Sequence, residues 1–593
     1  MSHDESIEPA QAPWPGITRS HSRRVDLARG CFLGDLYSVA SLFRPLRPEL
    51  ALLAALASPA AAQLTGPGAV TQPAPFLEDF ELRRAPAAVT TGPALPSSGG
   101  PSVVVQVETR RVTRLLPPAL FGNNLALWTG DNDTLSGTLE DRLQPLRPGL
   151  LRFPGGNASN TYHWDGNYPP YAVSQGWDNQ SNPWAVNTFE FLSLCERLGS
   201  EALLTVNHGY HEYDTTATDG QLGKAVALAA DWVEYCNAPV DGSNPRGGID
   251  WAAQRAADGH PEPFGVKYWE IGNEVHGFWT VGNEVADGAV YGAQYNAFHD
   301  AMKAVDPSIH IGIDGYVGDP AKVAWTAEVF SHPGTGRRID FIDTHDYFHW
   351  VGHNLQNDLA EEDLFDLVDQ IAQNKADLDA LVEGCTRRRP GEIKYYMGEF
   401  NITHPVSYHA TQLATALVVA EMLGAMIDTG YDAASLWLGF HAWSGTGDTG
   451  FLARNNPAVP DHTPYANYFV YWLFARNFGD RALAATSSDP EVVVHASRFA
   501  SGELGLMLVN ETSTPRTATL QLAGFSPSGP VNGWVLGGAG LEATAVTLNG
   551  VGNGLPYGGP LPDTVPAMVG TADPLGVLSV RLEPHSLTSL LVY

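Results

Sequence analysis

Two glutamates stand directly after short apolar runs. Residues 266–271 (VKYWEI) lead into Gly272-Asn273-Glu274, and residues 393–398 (IKYYMG) lead into Glu399. Two carboxyl groups gathered at one concave site can cleave a glycosidic bond. One gives a proton to the leaving oxygen, while the other attacks the anomeric carbon or directs water to it. Their surroundings must differ, so that one is protonated while the other is ionised. Other polar groups occupy the same kind of position. Arg152 opens RFPGGN at 152–157, and Asn207-His208 follow ALLTV at 202–206. His345-Asp346-Tyr347 follow IDFIDT at 339–344, and Trp437 lies in AASLWL at 433–438, with His441 and Trp443 behind it.

The dipeptide Asn-Glu is weak by itself, because it ends at Glu274, Glu284 and Glu511. Only Glu274 directly follows a strand-like run, so it is the expected acid/base, with Glu284 as its competitor. Asp343 and Asp346 are the next acids to weigh at the second position. His345, His349 and His353 recur every fourth residue, which on a helix would make a metal-binding face. His345 is expected at the end of a strand, so no metal is predicted. Trp128, Trp164, Trp177, Trp279 and Trp443 suit either sugar platforms or core packing.

Something must bring these side chains together. Eight strand-like runs are predicted at 120–127, 150–154, 202–206, 266–271, 309–313, 339–344, 393–398 and 433–438. Most are short and apolar on both faces, as parallel strands covered by helices are. Helical periodicity falls between them, at 189–198, 222–236, 291–305, 364–382 and 411–427. This predicts an α/β fold, a (β/α)8 TIM barrel over 103–477, whose site gathers at the strand C-termini. A doubly wound sheet would carry a glycine-rich turn after its first strand, and Leu127-Trp128-Thr129-Gly130 is no such turn. Beyond 478 the helical pattern gives way to short runs split by Gly, Pro, Ser and Asn. A C-terminal β-sandwich is therefore predicted over 478–593, joined by a strand from 103–117. Residues 63–102, rich in Pro, Ala, Gly, Ser and Thr, read as an exposed linker.

Residues 1–62 have the order of a secretory leader. Arg44 and Arg47 precede the apolar run LALLAALA at 50–57, and small residues end at Ala60-Ala61-Ala62. This predicts export to the periplasm or medium with cleavage near Ala62, and a run too short for a membrane anchor. The charge of −31 arises from 65 acidic against 34 basic residues. The leader holds equal numbers of each, so the charge belongs to the remaining chain. Such a balance excludes a broad basic face for nucleic acid and docking on an anionic membrane. Of four cysteines, Cys31 lies in the leader; Cys195, Cys236 and Cys385 fit either one disulfide or packed thiols, and no zinc spacing is present.

The motifs LRFPGG at 151–156, Tyr162-His163-Trp164, DWVEYCN at 231–237, VKYWEIGNE at 266–274, MKAVDPSI at 302–309 and GEFN at 398–401 resemble those of the clan A retaining glycoside hydrolases. Within that clan they are most similar to family 51, the α-L-arabinofuranosidases. The resemblance spans about 150 to 400 and fades in the loops and the sandwich. It implies Glu274 as general acid/base, Glu399 as nucleophile and Asn273 as the partner of the sugar 2-hydroxyl. Arg152 would hold Glu399 ionised, and Tyr347 would hydrogen-bond it. Asn207, His208, His345 and Trp437 would line the subsite. The implied partner is a plant-type polysaccharide or oligosaccharide, with no cofactor. Rival readings are a β-xylosidase, β-glucuronidase or endo-glucanase of the same clan, and a non-catalytic carbohydrate-binding protein.

Overall fold

The computed structural model describes residues 77, 80–130, 136–165, 185–209, 221–277, 285–350, 359–404, 408–445 and 447–593. The leader, Glu284, Trp177, Trp279 and His353 lie outside them. Nine strands come first in chain order: β1 (Ser102–Leu115), β2 (Gly122–Asn124), β3 (Leu150–Phe153), β4 (Glu201–Val206), β5 (Tyr268–Ile271), β6 (His310–Asp314), β7 (Phe341–Trp350), β8 (Lys394–His404) and β9 (Ala433–Leu436). Strands β2 to β9 close a parallel barrel in sequential order, with β2 pairing to both β3 and β9.

Side chains alternate across each strand, and the barrel sorts them by depth. Leu150, Leu203, Tyr268, Phe341, Tyr396 and Ala433 form one apolar layer in the lower barrel interior. Two residues further along the same strands stand Arg152, Thr205, Glu270 and Asp343, buried and polar. The intervening residues, among them Leu151, Leu204, Trp269, Ile342 and Met397, join the main core with the helices. A dry floor therefore lies beneath a charged upper layer.

The helices start where their caps dictate. Asn187 and Glu190 form a reciprocal capping box at Thr188–Leu198. The helix Pro320–Ser331, absent from the sequence reading, has Asp319 accepting from Ala321 and Lys322 and proline in its first turn. The helix Leu413–Thr429 is buried on nearly every side, as a helix held between two layers must be. Its first amides bond to Ala543 and Leu541 of the C-terminal region.

That region adds β10 (Arg481–Ser487), β11 (Val492–Arg498), β12 (Leu504–Asn510), β13 (Arg516–Ala523), β14 (Val531–Gly538), β15 (Val546–Leu548), β16 (Met568–Gly570), β17 (Val577–Leu582) and β18 (Ser586–Val592). With β1 they make one ten-stranded sheet, nine strands in a continuous hydrogen-bonded path and β16 branching from β14. It folds over a shared core in which Val105 and Leu520 meet Leu506, Val580 and Leu590. Strand β1 runs between β10 and β13, antiparallel to the first and parallel to the second.

Two expectations change. Residues 80–101, read as exposed linker, lie along the sheet. Leu95 is buried and its amide bonds Val569, Asn532 clasps the Val89 backbone, and Arg83 pairs with Asp480 at 2.9 Å. These are local anchors that composition does not reveal. Strands β7 and β8 also run on past the predicted ends, to Trp350 and His404. His345, Tyr347 and Glu399 thus sit inside strands, next to a register shift between Thr344 and His345, and not in the loops after them.

Candidate active site

The upper layer is organised by Arg152, which has no exposed surface. Its Nε and Nη2 donate to Glu270 at 2.9 and 3.2 Å, its Nη1 donates to Glu399 at 2.8 Å and Asn124 at 3.1 Å, and its Nη2 donates to Asn273 at 2.8 Å. A guanidinium has five N–H donors, so every one is engaged. Burial opposes its charge, but Glu270, Glu399 and Asp343 outweigh that and hold its pKa well above the ordinary value. The arginine is a permanent cation with four oriented partners.

Each partner is fixed by backbone geometry. Glu399 lies one residue past Gly398, where a Cβ would come within 2.1 Å of the Asp343 carboxylate. Only glycine lets β7 and β8 bring that carboxylate so close. Asn124 also donates to the Gly398 carbonyl at 2.8 Å. Asn273 is locked by Asn160, which accepts from its amide at 3.0 Å and donates to its carbonyl at 2.8 Å. Asn273 turns its Oδ1 to Arg152, and its buried Nδ2 has no hydrogen-bond partner among the described residues.

His345 joins the two glutamates. Its Nδ1 lies 3.0 Å from Glu274 Oε1 and 3.7 Å from Glu399 Oε1, and its Nε2 lies 3.3 Å from Asp343. One carboxylate oxygen each of Glu274 and Glu399 lies within 4.8 Å of the other. Burial opposes the imidazolium, but Glu399 and Asp343 raise its pKa well above the usual value. The Tyr347 hydroxyl donates to Glu399 Oε2 at 2.8 Å, and burial followed by the Glu399 charge keeps that phenol protonated. Glu274 sits on a turn at φ 46°, closed by the Gly277 amide on its carbonyl. That turn is pinned by the end of β6, where Asp314 accepts from the His276 amide and lies 2.9 Å from its Nδ1.

The other expected residues divide. Trp437 packs edge-on against Trp128, whose indole N–H donates to His441 at 3.2 Å, and the Trp437 carbonyl accepts from Asn401. This places aromatic surface next to the Gly155-Gly156 turn, where a Cβ on Gly156 would meet the Trp437 ring at 2.9 Å. Asn207 is buried at 3.5 Å from His163. His208 faces the helix Gly288–Val305, bonding Gln294 at 2.9 Å and stacking on Phe298. Of the rival acids, Asp346 points to Asn374 at 3.0 Å, and burial pushes its carboxyl up to about 7. Glu511 lies just beyond β12, in the sandwich.

Sequence reading missed Glu270, Asn124, Asn160 and Thr205. Glu270 accepts both arms of Arg152 and the Thr205 hydroxyl at 3.0 Å. Burial pushes it up to about 8, against the pull of Arg152. One signal was present: a carboxylate inside the apolar run VKYWEI is rarely buried without a partner. Glu270, Asp343 and His345, and likewise Glu274, His345 and Glu399, are close enough to hold a cation. Arg152 already occupies acceptor positions in both sets, so the arrangement suits proton chemistry better than a metal. Cys195 and Cys236 are buried free thiols.

Comparison with known proteins bears on this geometry. A family model described as "Alpha-L-arabinofuranosidase 1 domain" matches residues 142–356, which include Arg152, Asn273, Glu274, His345 and Tyr347. The chain is 31% identical over 289 residues to the intracellular exo-α-(1→5)-L-arabinofuranosidase 1 of Bacillus subtilis, covering 48% of this chain and 51% of that one. It is 30% identical over 283 residues to α-L-arabinofuranosidase C of Emericella nidulans, covering 45% and 50%. The matches thus span about half the length of these curated relatives. A family 51 α-L-arabinofuranosidase from Bifidobacterium longum shares the fold, with TM-score 0.63 at 18% identity over 83% of this chain and 100% of that one. The Thermotoga maritima enzyme gives 0.61 at 17% over 83% and 99%. Barrel, sandwich and matched sequence together support a clan A (β/α)8 glycoside hydrolase. Within that clan the chain stands close to the family 51 arabinofuranosidases.

Proposed function

We propose that the chain is a retaining α-L-arabinofuranosidase that works by double displacement on arabinofuranosyl units of plant-type polysaccharide. The observation that carries this is that one carboxylate oxygen of Glu274 lies within 4.8 Å of one of Glu399, a close pair rather than one held apart for water. Retaining pairs stand about 5–5.5 Å apart, whereas inverting pairs need about 6.5–9.5 Å to admit water. The sugar itself is suggested by the names of the relatives.

In this reading Glu399 attacks the anomeric carbon, and Glu274 gives its proton to the departing oxygen. Arg152 and Tyr347 each hydrogen-bond one oxygen of Glu399, so the attacking carboxylate is oriented before substrate arrives. Water then enters where the leaving group stood and loses its proton to Glu274. Its oxygen bonds the anomeric carbon as the ester to Glu399 breaks. The free Asn273 N–H meets the 2-hydroxyl, a contact that strengthens in the transition state. Trp437 and Trp128 form the apolar wall.

A Glu399→Gly variant should be nearly inactive. With azide it should yield an arabinofuranosyl azide of inverted anomeric configuration. Rescue that fails at Glu399 but succeeds at Glu284 or Asp346 would sink the assignment. Turnover of a xyloside or glucuronide in preference to a furanoside would move the chain to another activity of the clan. Export rests on the leader alone, and the Bacillus subtilis relative is named intracellular. Among the described residues no helix is long and apolar enough to cross a membrane. N-terminal sequencing of the protein from medium and from cells decides this: a mature start near Gln63 in the medium is expected.

A further inference from the structure

A cavity of about 790 Å³ lies where the N-terminal arm, the helix Ala466–Asn477 and the sandwich meet. Its walls include Arg84, Gln144, Arg147, Trp472, Arg476 and Asp563. Arg147 precedes β3 and Gly199 precedes β4, so the cavity is at the strand N-termini, the end of the barrel opposite Glu274 and Glu399.

Its charge is unusual for this chain. Acidic residues outnumber basic ones by 65 to 34, yet three arginines converge here with one carboxylate. Among the described residues, none of the three has a carboxylate in ion-pair contact. Arg476 lies over the rings of Trp472 and Trp534, at 5.4 and 5.1 Å from their centroids, and its buried Nε has no hydrogen-bond partner. The indoles hold the guanidinium in place by cation–π contact. Burial lowers its pKa, Asp563 and then Tyr593 oppose that, and the Arg147 charge adds a smaller push downward. A bound anion would relieve this frustrated cation.

We infer that this cavity is a second saccharide site, for a sugar unit that carries a carboxylate. Arginine pairs with carboxylates through two parallel N–H bonds. A bare phosphate would leave most of the space empty, whereas a volume in the range of about 300–1,000 Å³ suits a ligand of one or two rings. Asp563 would repel a second anion but accepts hydroxyl hydrogens, and Gln144 can do either. The lining therefore offers arginines to the acid group and Asp563 and Gln144 to hydroxyls. The site would hold an acidic branch of the polymer away from the mouth that cuts it.

The test is calorimetric titration of the full chain carrying Glu399→Ala, with glucuronic acid, glucose and inorganic phosphate as separate probes. Glucuronate should bind, weaken at least threefold when salt rises from about 50 to 300 mM, and exceed glucose clearly. Arg84→Gln with Arg147→Gln should weaken it at least tenfold. Both residues are exposed, so the melting temperature should hold, as should turnover of a small aryl arabinofuranoside by the otherwise wild-type enzyme. Equal binding of glucose, phosphate binding as tight as glucuronate, no heat with glucuronate, or binding unchanged in the double variant would each overturn the proposal. The Glu399→Ala background keeps this result separate from the catalytic reading.

Discussion

The two ends of the barrel use arginine in opposite ways. At the mouth, Arg152 has all five N–H groups engaged and four side chains around it. At the base, Arg476 keeps a buried Nε unpaired and has Arg147 for a neighbour. A saturated guanidinium has nothing left for a ligand; its work is to fix other groups, here Glu399, Glu270 and Asn273. An unsaturated one, braced on tryptophan, keeps a charge that no carboxylate pairs among the described residues. A count of charges does not reveal these roles; the state of each N–H separates a positioning residue from a binding residue.

The contrast breaks most severely at Arg152. Arg152→Met should leave Glu399 and Asp343 buried without their cation, an arrangement that costs about 3–5 kcal/mol when one partner of a buried pair is removed. It should also lower kcat/KM by about 10³-fold through loss of charge placement around Glu399. Denaturant melts and kinetics on an aryl arabinofuranoside check both. Arg152→Lys should recover little, because an ammonium cannot span Glu270, Asn124, Asn273 and Glu399 at once. Recovery to near wild type would make Arg152 a simple counter-charge.

Much of this was legible before the structure, and what was hidden has a physical pattern. The barrel strands showed as apolar runs, and Glu274 and Glu399 stood out by following them. Strands β10 (RALAATS) and β14 (VNGWVLGG) were invisible, because alanine and glycine give little alternation or β-propensity. The outer halves of β7 and β8 looked like loops because His345, Asp346, Tyr347 and Asn401 interrupt the apolar run. Yet those strands pair on to Trp350 and His404. Glu270 was the deeper omission. Its role comes from lying across β3 and β4 from Arg152 and Thr205, an adjacency created by barrel closure and not by spacing along the chain.

Glu270 permits a pH test of the saturated end. Its folded pKa is pushed above the usual 4.5 to about 8 by burial. A carboxyl that holds its proton more tightly when folded stabilises the fold fully at low pH. That contribution fades as pH climbs from about 4.5 towards 8. Glu270→Gln removes the titration. The wild type should therefore lose melting temperature relative to the variant between about pH 5 and pH 8.5. Parallel profiles would mean that Glu270 stays ionised throughout, tied to Arg152.

A smaller effect is expected at Asp314, which touches neither glutamate but anchors the turn that carries Glu274 through His276. Asp314→Asn should disturb proton delivery and leave nucleophilic attack intact. The loss should be about tenfold for leaving groups of high pKa and small for a nitrophenolate, which needs no acid. A uniform loss across leaving groups would instead mean general disorder of the site.

The smallest effect sharpens the other side of the contrast. Arg147 is exposed, sits in the left-handed region at φ 47°, and adds repulsion to Arg476. Glutamine there keeps the length and the backbone cost of a Cβ, so Arg147→Gln isolates the charge. Removing a like charge from a partly solvated pair is worth a few tenths of a kcal/mol. The variant should thus be as stable as the parent, or more stable by up to about 0.5 kcal/mol. Such a result would fit a like charge that a bound acid group offsets. If Arg147→Gln instead destabilises by more than about 1 kcal/mol in denaturant melts, the arginine is a structural tie. The two ends of the barrel would then differ only in exposure.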